Sequence, residues 1–420
     1  MAAMPDPAAH HAGRVVELAE APVAGSAGQT GERPNARALA LLAWGHLVID
    51  THQGALPALL PFLKAAFGLS YTAAGTVLLV ATVASSVIQP LFGYLSDRSA
   101  RRWLLPWSVV LTTLGLALVG LAPTYGLLLV CVAAAGLGIA AYHPEGFKTA
   151  NQVAGDRKAT GLSFFSIGGN IGTALGPPVI AALVTTFGRP GTLGMLVPGL
   201  LTAGLITAVL PSLVPPPAMA GATRAGAGDG RDMRGAIALL VAVVTVRSWT
   251  QLGLTAFIPF FYVDVLGADP RIVGPLLFGF LGAGALGTLV GGPIADRWGG
   301  RRVVTGSMLV AAPLVATFLW RQGDGLAVLC LLAAGFALVS SFSVTVVLAQ
   351  AYLPRRLGMA AGLMTGLAIG TGGIGVALLG WVADHWGLMT TLTLTAVLPL
   401  AGFTAALALP EPPLSPQTGR

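Results

Sequence analysis

From about Ala38 to Leu409 the chain is a succession of apolar stretches, many of them about 20 residues long. A helix rises 1.5 Å per residue, so about 20 residues cross the roughly 30 Å of hydrocarbon in a bilayer. Lipid offers the backbone no hydrogen-bond partner, which leaves only helices or closed barrels as spanning structures. A barrel would show short strands of alternating polarity, and these stretches do not alternate. The fold class is therefore all-α and polytopic. Composition agrees: 55% of residues are hydrophobic and 9% charged, against about 25% charged in soluble chains. That excludes a soluble enzyme and a secreted disulfide scaffold.

Twelve spans are predicted, over 38–63, 72–94, 103–122, 124–147, 159–187, 191–211, 236–263, 272–295, 303–320, 325–352, 359–383 and 388–409. Residues 1–37 are rich in Ala, Pro and Gly and lack an apolar run, so they read as a disordered tail rather than a signal peptide. Residues 410–420 read as a second tail. Residues 212–235 include Pro215-Pro216-Pro217 and form a linker between a half at 38–211 and a half at 236–409.

With both termini inside, 18 of the 23 Lys and Arg residues fall on the cytoplasmic side, four lie outside, and Arg247 lies within a span. This bias is the positive-inside rule. It explains the net charge of +7 without a nucleic-acid partner. Arg outnumbers Lys 20 to 3, which suggests a GC-rich bacterium and its cytoplasmic (inner) membrane.

The halves repeat each other. Gly93-Tyr94-Leu95-Ser96-Asp97-Arg98 with Arg101-Arg102 returns as Gly292-Pro293-Ile294-Ala295-Asp296-Arg297 with Arg301-Arg302, an offset of 199 for the aspartates. Cys131 and Cys330 share that offset; Gly161, Gly169 and Gly172 match Gly362, Gly370 and Gly373 at 201. Parallel repeats of six spans occur in secondary transporters, with the substrate site near the midplane between them. Both cysteines sit mid-span among apolar residues and read as small buried hydrophobes.

The doubled loop resembles the signature of the major facilitator superfamily, and Gly172-x-x-x-Gly176-Pro177 resembles the Gly-Pro motif of its drug/proton antiporters. Several further stretches resemble the fosmidomycin-resistance protein family. They are Gly45-His46 with Asp50, Gln53 and Leu56-Pro57, then Phe67-Gly68-Leu69-Ser70-Tyr71, Gln89-Pro90, His143-Pro144-Glu145-Gly146, Gly168-Gly169-Asn170 and Arg247-Ser248-Trp249. Val132 stands where many drug antiporters carry an Arg. The resemblance implies the major facilitator fold and proton-driven export of fosmidomycin or similar phosphonates. It also implies gating by Asp97, Arg98, Arg101, Arg102, Asp296 and Arg297, which would latch the cytoplasmic side. The alternative is that these arginines only orient the chain.

A charge at a helix centre costs about 2.5–3.5 kcal/mol on insertion scales, so each one present needs a reason. His46, Asp50, Gln53 and Pro57 are spaced 4, 3 and 4 and share one helical face. His52 points elsewhere, toward an interhelical hydrogen bond. Arg247 lies at similar depth in the repeat-related span, with Gln251 one turn on. It either holds a substrate anion, as a guanidinium does well, or forms a static pair with Asp50. His46, Asp50, His143 and Glu145 are candidates for the transported proton. His143 and Glu145 cannot share a face, so only one can line a cavity; either could be structural. Asn170 belongs to a polar stripe with Ser163, Ser166 and Thr173, while Gly172 and Gly176 allow close helix packing. Substrate contacts are expected at Arg247, Gln251, Gln53, Asn170 and His143.

No nucleotide loop, metal-ligand spacing or nucleophile triad is present, so no enzymatic activity, cofactor or metal is expected. The reading is an antiporter, monomeric in the lipid bilayer, whose partners are a small anion and protons. The alternatives are uptake or efflux of another anionic metabolite and, in another class, a non-transporting receptor or scaffold.

Overall fold

The computed structural model describes residues 34–98, 103–155, 158–213, 232–367 and 370–411, nearly all of them helical. The first half opens with α1 (Ala36–Phe67), capped by the Asn35 side chain on the Ala38 N–H at 3.1 Å and ended by Gly68 in the left-handed conformation, φ 62°. The second span is two helices, α2 (Tyr71–Thr82) and α3 (Gln89–Arg98), joined by a π turn over Val83–Val87. Pro90 sits in the first turn of α3, where its missing N–H is not needed, so the chain restarts a helix there.

Then come α4 (Leu104–Val119), α5 (Tyr125–Val153) and α6 (Lys158–Phe187). A 3₁₀ segment (Arg189–Met195) leads into α7 (Leu196–Leu213).

The second half contains α8 (Arg234–Phe260) with a π turn at Phe261–Val265, then α9 (Val273–Trp298) and α10 (Gly300–Arg321). The tenth span divides into α11 (Gly325–Ser340) and α12 (Phe342–Tyr352). At that break the Ser340 and Ser341 hydroxyls donate to the Ala337 and Leu338 carbonyls at 2.8 and 3.2 Å, a side-chain competition with the helical ladder. α13 (Leu357–Gly362) and a π turn (Leu363–Leu367) precede α14 (Gly372–Trp386), and α15 (Leu388–Leu407) completes the chain.

Nine segments among the described residues are long and apolar enough to cross a membrane. The 32-residue α1 is not one of them, since His46, Asp50, His52 and Gln53 interrupt its hydrophobicity. The protein is a multi-pass membrane protein of twelve spans; the second, tenth and eleventh, each predicted as one helix, are divided.

The halves meet along α2–α14, α6–α9 and α1–α8. At the end of the bundle away from the termini one apolar cluster runs through both halves, from Leu56, Leu59, Leu60 and Leu63 to Phe257, Phe260 and Phe261. At the end that carries the termini each half has its own cluster, one around Leu42, Tyr142 and Phe165 and the other around Leu240, Val304 and Tyr352. The bundle is thus closed at its far end.

Candidate functional site

Among the described residues the most extensive helix pair is α1 against α6. Three glycines of α6 make it possible: a Cβ at Gly168, Gly172 or Gly176 would meet the α1 backbone at Ala43, Leu47 or Thr51–Ala55 respectively. Their spacing of four keeps them on one face. On α1, a Cβ at Gly54 would meet the Thr173 carbonyl in return. Pro177 follows Gly176 in the same helix and does not end it.

This close approach builds a buried polar centre. The His46 ring stacks on Phe165 with centroids 4.2 Å apart, and its Nδ1–H donates to the Phe165 carbonyl at 2.9 Å. A carbonyl only accepts, so the Nδ1 proton is fixed and Nε2 points into the site. Nε2 lies 3.3 Å from Asp50 Oδ2. Two lone pairs cannot meet at that distance, so a proton sits between them, on the imidazole or on the carboxyl. From α5, His143 Nε2 reaches the other oxygen, Asp50 Oδ1, at 3.2 Å.

His46 and Asp50 are buried, His143 is half-buried, and donor atoms of all three lie within 4.8 Å of one another. It is the one place among the described residues where three such groups converge.

Gly169 leaves the space this needs. A Cβ there would lie 2.5 Å from the His46 ring and 2.7 Å from Asp50 Oδ2. Tyr142 backs the site from α5, its hydroxyl donating to the Leu42 carbonyl at 3.0 Å. In the sequence Phe165 and Tyr142 carry no signal of a functional role, and for Gly169 the only pointer is the run Gly168-Gly169-Asn170.

Arg247 lies on α8, outside this cluster. Its residue exposure is 2%, and Nε and Nη1 are buried with no hydrogen-bond partner among the described residues. No carboxylate among the described residues lies within ion-pair distance, so the pairing with Asp50 considered above is not made. Its guanidinium carbon stands 5.4 Å from the centroid of the Phe342 ring, a cation–π contact that replaces little of the lost hydration. Gln251, one turn further along α8, is half-buried.

Gln53 on α1 and Asn170 on α6 are exposed in mid-helix. Glu145 is buried on α5 and is not part of the His46–Asp50–His143 cluster. His52 Nδ1 donates within its own helix to the Val48 carbonyl at 2.7 Å, and Nε2 faces the Met195 carbonyl at 3.3 Å. Cys131 and Cys330 are free and buried.

Of the loop residues, Asp296 and Arg297 are exposed, and Asp296 makes no ion pair among the described residues. The Asp97 and Arg98 side chains, and Arg101 and Arg102 entirely, lie outside the described residues.

Comparison with known proteins follows the same lines. The sequence model of the Major Facilitator Superfamily matches residues 42–283 and 237–420. The chain is 31% identical over 386 residues to the fosmidomycin resistance protein of Escherichia coli strain K12, covering 91% of this chain and 95% of that protein. It is 33% identical over 369 residues to YfnC, an uncharacterised transporter of the same type from Bacillus subtilis strain 168, covering 86% and 90%. A bacterial homologue of the human lysosomal transporter Spinster, solved inward-facing and unoccupied, superposes with a TM-score of 0.74 at 15% identity, over 91% of this chain and 99% of that one. Its occupied inward-facing form gives 0.70 at 16% identity, over 89% and 96%.

Proposed function

The chain belongs to the major facilitator superfamily and is a membrane transporter, not an enzyme, and on that premise we propose that it exports small anionic compounds, fosmidomycin-like phosphonates among them, in exchange for protons. The observation that carries the reading is Arg247. A guanidinium buried in a membrane bundle with two nitrogens unpartnered is costly unless a ligand completes it. An anion does so with two parallel N–H···O bonds. Gln251, Gln53 and Asn170 supply amide donors and acceptors for the rest of the ligand, with His143 at the edge of the proton site.

The proton belongs to the His46–Asp50–His143 cluster, whose short Nε2–Oδ2 contact needs one. Release of that proton turns the contact repulsive, moves the Asp50 carboxylate and alters the field that Arg247 and its anion feel. Glu145, buried on the same helix as His143, is the reserve candidate. The termini are cytoplasmic in this reading, the membrane is the bacterial inner membrane, and the working unit is a monomer that needs no cofactor.

The test is proton movement in everted vesicles with an acid lumen. Addition of fosmidomycin should alkalinise the lumen, and Asp50→Asn should abolish the response. Arg247→Gln should do the same, while Arg247→Lys keeps a weaker one. No response from correctly folded protein sinks the phosphonate assignment and turns the assay to other anions. A full response in Arg247→Gln removes the anion site.

A further inference from the structure

At the far end of the bundle the halves are joined by a polar cluster that the transport chemistry does not use. Its members divide cleanly between the halves. The first supplies Lys64 at the end of α1 and Tyr71 and Thr72 at the start of α2; the second supplies Asp264 after α8 and Asp384 near the end of α14. Lys64 Nζ lies 3.2 Å from Asp264 Oδ2 and 4.6 Å from the centroid of the Tyr71 ring. The Tyr71 hydroxyl donates to the same Asp264 oxygen at 2.8 Å.

Asp384 takes the N-terminus of α2. The Tyr71 N–H donates to Oδ1 at 2.7 Å, and the Thr72 N–H and hydroxyl donate to Oδ2 at 2.9 and 2.5 Å. One half thus supplies the anionic cap for a helix of the other, where free N–H groups and the helix dipole favour a carboxylate. Beneath it the Tyr71 ring packs edge-on against Phe260, 5.3 Å between centroids.

The repeat-related seam, α6 against α9, is built differently. A Cβ at Gly274 would lie 2.8 Å from the Pro178 Cα and 3.0 Å from the Ala181 Cβ. No hydrogen bond or ion pair joins α6 to α9 among the described residues. One seam therefore carries charge and directional bonds, and the other is small-residue packing that can roll without breaking a bond.

We propose that Lys64, Tyr71 and Thr72 against Asp264 and Asp384 form a latch, and that the far end opens by parting α2 from α14 while α6–α9 serves as the hinge. Water entering the α2–α14 seam replaces the lost partners of every group in the latch, so the bonds can break and re-form in each cycle. The proposal rests on alternating exposure of a central site and not on the anion assignment. A transporter of some other substrate would still use it.

The test reads distances between spin labels on the full chain, with Cys131 and Cys330 replaced by Ala. One label pair, at Ala66 and Trp386, spans the latch seam; the other, at Phe187 and Ile272, spans the hinge seam. Asp384→Ala removes three hydrogen bonds and should shift the open-to-closed ratio at the latch pair by at least roughly tenfold, since one hydrogen bond to a charged group alone is worth about that. The hinge pair should stay as it was. Asp384→Asn keeps the shape should the alanine variant fail to fold, and it should give a smaller shift of the same sign.

Lys64→Asp should open the latch seam, and Asp264→Lys added to it should close the seam again. Asp269→Asn alters only a local cap on the Arg271 N–H and should change neither distance. Unchanged latch distances in all the latch variants would overturn the proposal, and so would equal widening at both seams. Loss of the fosmidomycin response alone would leave these distances as expected and would count against the anion reading only.

Discussion

Gly169 is the residue on which the proton site turns, because the hydrogen atom it carries in place of a side chain is what lets His46 and Asp50 occupy their positions. A methyl group there, 2.5 Å from the ring and 2.7 Å from the carboxylate oxygen, forces one of the two aside. Gly169→Ala is expected to leave the protein folded and inserted and to reduce proton-coupled transport at least as severely as His46→Gln. A thermal unfolding midpoint within a few degrees of the parent, with transport lost, is the expected pair of results; normal transport would show that the His46–Asp50 contact is dispensable. The sequence made part of this site legible. A spacing of four on one helix put His46 beside Asp50, and that local relation survives folding. The arrival of His143 from α5 and the lack of an ion-pair partner for Arg247 among the described residues depend on how distant helices pack. Depth alone suggested that Asp50 and Arg247 approach each other, but depth says nothing about rotation, and Asp50 is already satisfied by two imidazoles.

Among the elements, α1 and α11 show how sequence signals divide. The polar stripe that gives α1 its role is also what keeps its hydropathy below that of an ordinary span, so the helix with the most chemistry is not among the nine segments that read as spans. The π turns in the second, seventh and eleventh spans were not legible either, since they follow from packing and from proline placement rather than from periodicity. The start of α11 could be read from an ordinary capping signal. Asp324 accepts the Ala327 N–H at 2.8 Å and the Arg321 Nε–H at 2.7 Å. The Ala327 N–H first and Arg321 second hold its carboxyl below the usual range. A depressed value means the cap is fully present above the ordinary carboxylate pKa of about 3.9. It weakens as pH falls below that and is gone once pH passes the folded value. Hydrogen exchange at the Ala327 amide should therefore keep its protection through mild acid and lose it only under stronger acid. Asp324→Asn should flatten this dependence; protection that collapses already near neutral pH would contradict the assignment.

For the molecule as a whole, the division of its apolar core predicts which face of the membrane reaches the site. One cluster joins the halves at the far end and two separate clusters hold them at the termini end, so the site is expected to be reached by water from the termini side. Gln53 is the natural probe. It is exposed, yet Gly54 through Pro61 immediately after it are all buried, and it shares a helical face with His46 and Asp50. A polar amide in mid-span on that face belongs to a water-filled space between the halves and not to lipid. In a protein with Cys131 and Cys330 replaced by Ala, Gln53→Cys should react with a water-soluble, membrane-impermeant thiol reagent supplied on the termini side. The same reagent on the opposite side should react slowly. Adding Asp384→Ala should then raise the rate from the far side and lower it from the termini side, because a central site open to one face is withdrawn from the other. Equal rates from both sides in the parent would mean a continuous channel, and no reaction from either would place Gln53 against lipid. A far-side rate that does not respond to Asp384→Ala would separate the latch from access to the site, which is the link that makes the two halves a transporter rather than a static bundle.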